Sequence, residues 1–82
     1  MNLTELLKSK EYQEASGKIG AWKEKLAKAD QQEVIRIRDE KVDFFKKMRT
    51  SNPELYVVFQ LDDKTLSEQI YKKLTGKDIV ID

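Results

Sequence analysis

Asn52-Pro53 divides this chain more firmly than any other pair of residues in it. The ring of the single proline removes a backbone donor and pushes the residue before it away from helical dihedrals, so a helix arriving from the N-terminal side must stop there. Beyond the break, the last third of the chain, Leu55 to Asp82, reads as strand, helix, strand. Leu55-Tyr56-Val57-Val58-Phe59-Gln60-Leu61 is a β-branched and aromatic run shorter than a typical helix, followed by Asp62-Asp63, and Ile79-Val80-Ile81 is a second such run. Between them Thr65 and Glu68 have capping-box spacing, Leu66, Ile70 and Leu74 recur every four residues, Lys72 and Lys73 fill the last turn, and Gly76 stands at the stop.

The intervening helix is long enough to lay the second strand parallel to the first through a right-handed crossover. Two strands make a very small sheet with unpaired edges, so a second copy of the chain or a different protein is expected to extend it. A competing pattern keeps Leu55 to Leu61 helical, with Ser51 or Asn52 as cap and Pro53 at the first helical position, and makes the whole chain a helical bundle. Val57-Val58-Phe59 favours the strand.

On the N-terminal side of the break every apolar pattern is helical. Asn2 is the expected cap of a short helix carrying Leu3, Leu6 and Leu7, and Ser9 a second cap after a bend. From Glu11 to Ala29, Tyr12, Ala15, Ile19, Trp22, Leu26 and Ala29 step by three or four residues and form one narrow seam, suited to an antiparallel helix pair or a coiled-coil contact. Gly17 and Gly20 flank that seam and read as a weak or kinked point, or else as room for another backbone. Asp30 with Glu33 caps the next helix, which runs to Met48 or Arg49. Its apolar residues Val34, Ile35, Ile37, Val42, Phe44, Phe45 and Met48 span almost half the circumference, too wide an arc for one neighbour. Arg38 and Lys41 interrupt the arc. Their stems are expected along apolar surface with the heads directed outward, toward the acidic cassette, unless the arc is partly exposed and Arg38 anchors a partner.

Composition narrows the chemistry. At 82 residues the chain is expected to be one domain, 1–82, with a helical part at 1–50 and the strand-helix-strand part at 54–82. It has neither cysteine nor histidine, which excludes thiolate nucleophiles, imidazole bases, disulfides and Cys/His metal sites. No cofactor or metal is expected. A disulfide-free chain whose N-terminus lacks the basic and apolar regions of a signal peptide is expected in the cytoplasm. Sixteen basic and fifteen acidic residues nearly cancel, against the basic excess usual in nucleic-acid binders.

Asp62, Asp63, Lys64 and Thr65, with Asp82 if the strands are parallel, are the most site-like cluster, yet carboxylates at a helix start serve as caps and dipole partners. The expected fold is therefore α+β, a small α/β domain in which a helical hairpin precedes the strand-helix-strand unit. The expected function is non-enzymatic protein binding, as an adaptor, inhibitor or regulatory subunit using an apolar helix face or an open strand edge. Trp22, Arg38, Lys41, Phe44 and Met48 are the candidate contact residues, although Trp22 and Phe44 also suit a plain core. The alternative is a nucleic-acid-binding regulator using Arg36, Arg38, Lys46, Lys47 and Arg49.

Overall fold

A computed structural model describes residues 2–76, which form four helices: α1 (Leu3–Lys8), α2 (Lys10–Lys28), α3 (Gln31–Ser51) and α4 (Pro53–Thr75). Among the described residues there is no strand. The fold is a small all-helical bundle, which overturns the expected α+β arrangement and its two-stranded sheet.

The correction centres on Leu55 to Leu61, which is helical and belongs to α4. Asn52 accepts a hydrogen bond from the Leu55 amide at 3.3 Å, Pro53 takes the first helical position where its missing donor costs nothing, and Glu54 complements the helix dipole. Within the run Leu55 and Phe59 are buried four residues apart while Val57 and Leu61 are exposed, a helical rather than a twofold period. A seven-residue run that is apolar at every position but Gln60 fits either period, so β-propensity decided nothing here and tertiary packing did. Asp62 and Asp63 do not end the helix, because Lys23 and Lys41 pair with them, and Thr65 and Glu68 lie in its interior rather than at its start. The expected second strand, Ile79 to Ile81, lies outside the described residues.

Elsewhere the helix ends fall where short polar side chains satisfy the free amides of the first turn. Asn2 accepts from the Glu5 amide at 2.9 Å, Ser9 from Tyr12 at 3.2 Å and Asp30 from Glu33 at 2.8 Å. Ser9 also donates its hydroxyl to the Leu6 carbonyl at 2.7 Å, closing α1 and opening α2 at once. At the other end Gly76 adopts φ 72°, the left-handed conformation that terminates helices, and its amide donates to Lys72 at 2.7 Å. Gly17 and Gly20 are exposed, α2 runs through both without interruption, and an added Cβ at either would meet nothing within 4 Å. No backbone approaches them.

The contacts fix the topology. Trp22 meets Phe44 and Glu40, and Lys41 meets Asp63 while Phe45 meets Tyr56, so α3 runs antiparallel to both α2 and α4. Tyr12 stacks on Phe59 at 5.3 Å and Lys73 donates to the Ala27 carbonyl, so α2 and α4 run parallel. The result is an up-down-up bundle of three helices with α1 folded on its N-terminal end through Leu6. Its core joins Ala15, Ile19, Trp22 and Leu26 of α2, Val34, Ile37, Phe45 and Met48 of α3, and Leu55, Phe59, Leu66 and Ile70 of α4. The α2 seam read from the sequence packs here as a unit, and α3 and α4 make the most extensive helix contact.

Candidate functional site

Lys41 is the one buried charged residue among those described, 6% exposed on the α4-facing side of α3. Its ammonium donates to Asp63 Oδ1 at 2.5 Å and to Ser67 Oγ at 3.0 Å, both on α4, and stands 5.7 Å from the centre of the Phe45 ring. The Tyr56 hydroxyl donates to the other oxygen of Asp63 at 3.0 Å. Arg49 in turn lies 5.2 Å over the Tyr56 ring, a cation–π distance. The lysine head does reach toward the acidic cassette, but it stays covered rather than ending in water. Every polar group of the cluster is engaged from within the chain, which makes it a device for joining α3 to α4 rather than a site poised for a ligand.

Beside it runs an exposed apolar face. Ile35 is 41% exposed, Val42 52% and Tyr71 42%, although Ile35 and Val42 belong to the apolar arc of α3. Arg38, Val42, Tyr71 and Leu74 line a groove of about 310 Å³ between α3 and α4 that is floored by Lys41 and Ile70. Val57 and Leu61, three to four turns before Tyr71 on α4, are also exposed.

The five candidate contact residues do not share one surface. Trp22 is 2% exposed, donates its indole N–H to Glu40 at 3.2 Å and packs edge-on against Phe44 at 5.5 Å. Met48 and Lys41 are buried, and Phe44 is half-buried beneath Lys18, whose ammonium is 5.2 Å from its ring. Arg38 alone of the five is exposed, 3.3 Å from Asp39 and at the rim of the groove. The residues that sequence reasoning did not single out as surface are Ile35, Val42 and Tyr71. For the first two a signal existed, since an arc wider than its neighbours can cover must leave part of itself outside. Tyr71 stands beside Ile70 in the helical repeat, and nothing in its spacing marked it.

The five basic residues of the alternative reading are divided around α3. Arg36 pairs with Glu33 at 3.0 Å and Lys47 with Asp43 at 2.9 Å on one side, while Arg38 and Arg49 turn toward α4. Lys46 is exposed. Asp62 and Asp63, the carboxylates nearest to a metal site in the sequence, are paired with Lys23 at 2.7 Å and with Lys41, and no group of three or more acidic residues placed to hold a metal occurs among the described residues. No described helix is long and apolar enough to cross a membrane. No family model matches the chain, and neither does any curated protein or solved structure.

Proposed function

We propose that the chain is a small non-enzymatic protein-binding module of the cytoplasm, an adaptor, inhibitor or regulatory subunit, and that it works through the α3–α4 face. The observation that carries this reading is the exposure of Val42 and Tyr71 around one groove, with Ile35 exposed two turns earlier on the same edge of α3, while the core beneath is closed by other side chains. Exposed apolar residues scattered singly need no explanation, but three along one helix seam, two of them lining its groove with an arginine at the rim, have the make-up of a binding patch. The open strand edge plays no part, since Leu55 to Leu61 is helical. A chain without histidine or cysteine, whose buried lysine and aspartate satisfy each other, supports binding rather than catalysis.

The direct test is photo-crosslinking in extracts of the source cells, with a photoreactive residue replacing Val42 in one preparation and Lys47, on the far side of α3, in another. Discrete adducts are expected from position 42 and absent from position 47. The same adducts from both positions, or none from position 42, would overturn the proposal.

A further inference from the structure

We propose that the α3–α4 face receives an acidic amphipathic helix from a partner protein. This rests on the protein-binding reading and adds the chemistry of the partner.

At about 100° per residue, Ile35, Arg38, Val42, Lys46 and Arg49 follow one another along a single edge of α3. That this edge borders α4 is fixed at two points: Arg38 and Val42 line the groove with Tyr71, and Arg49 lies over the Tyr56 ring. On α4 the exposed Lys64 shares the direction of Tyr71. Four cations, Arg38, Lys46, Arg49 and Lys64, thus border the apolar strip. Two carboxylates stand among them: Asp39, 3.3 Å from Arg38, and the half-buried Glu68, one turn after Lys64 on α4. Lys46, Arg49 and Lys64 have no carboxylate within ion-pair distance among the described residues.

The whole chain carries a formal charge of only +1, so this is segregation rather than a basic protein. Glu33, Glu40 and Asp43, the other carboxylates of α3, face away, toward Arg36, Trp22 and Lys47 respectively.

The occupant follows from what the strip offers and what it repels. Apolar side chains flanked by four cations, three of them without a carboxylate partner, fit a helix with an apolar stripe edged by Glu or Asp. A second copy would set the same cations against themselves across a twofold axis, and like charges placed opposite one another disfavour that contact. A phosphate backbone would answer the cations but leave Ile35 and Val42 facing water. From Ile35 to Arg49 the strip is about 21 Å long, the length of a partner helix of roughly four turns.

A display selection tests this directly. The full chain is presented with a library of amphipathic helices sharing one apolar stripe, the positions flanking it free to be Glu, Gln or Lys. Enrichment of Glu is expected, and fluorescence anisotropy of the selected peptide should show binding at least tenfold weaker to an R38E/K46E variant and weaker as salt rises, with circular dichroism verifying that the variant remains folded. Helices selected with no charge preference, and lost on Val42→Asp but not on R38E/K46E, would overturn the acidic partner while leaving the protein-binding face intact. No enrichment of any helix would overturn both. Binding of a duplex DNA probe, lost in R38E/K46E, with no helix enriched, would replace the proposal with the nucleic-acid reading.

Discussion

Lys41 has the unusual position of a lysine folded inside a chain of 82 residues, and its surroundings account for it. A buried ammonium is tolerated only when its charge is answered at close range and its donors are used, and Asp63 and Ser67 do both. Removing one member strands the other. Lys41→Met is expected to lower stability by about 3 kcal/mol in urea denaturation, the low end for a buried pair because Asp63 keeps its bond to Tyr56. Adding Asp63→Leu to Lys41→Met should recover most of that loss, since two apolar groups of similar volume leave no charge uncompensated. A loss below about 1 kcal/mol for the single variant would show that water reaches the pair and that it contributes little, as exposed ion pairs do. The pair and the apolar core agree on one register. Sliding α4 by one turn would bring Phe59 rather than Asp63 to the lysine, leaving its charge unanswered as well as pulling Phe59 from its stack on Tyr12.

Helix by helix, the chain was most legible where a cap and a periodic seam agreed. Asn2, Ser9, Asp30 and Gly76 each cap a helix as their chemistry implies, and the six seam residues of α2 all enter or touch the core. Legibility failed at α4, where two local signals pointed away from the outcome. Val57-Val58-Phe59 has strand composition, and Asp62 to Glu68 resembles the start of a new helix, yet the pairing of Asp62 and Asp63 with lysines on α2 and α3 exists only once the bundle forms. The site was partly visible for the same reason. Arg38 stood out as a charge inside an apolar arc, whereas the exposure of Val42 and Tyr71 depends on which side of α3 receives α4. The α2 glycines are the clearest local weakness left in an otherwise consistent element. With open space around each Cβ position, Gly17→Ala and Gly20→Ala should each raise stability by about 1 kcal/mol, read as a higher urea midpoint at unchanged slope. A lower midpoint would mean that α2 needs a bend there.

In the whole molecule the seam where α3 and α4 meet brings exposed apolar side chains and cations together, with only Asn52 between the two helices. Asn52 has φ −149° and ψ 73°, a non-helical conformation forced between helices of 21 and 23 residues. Were it to turn helical, α3 and α4 would fuse into one rod of about 67 Å, and α4 would be carried out of its own bundle into that of a neighbouring chain. Pro53 opposes this, because in the interior of such a rod its ring would clash with the Arg49 carbonyl at a cost of about 3 kcal/mol. Replacing Pro53 with alanine should therefore permit exchange of α4 between chains, seen in sedimentation as a species of twice the wild-type mass that grows with concentration. An unchanged mass across the same series would place the restraint elsewhere. The proline keeps each α4 at home, and with it the pairing that makes the groove a property of a single chain.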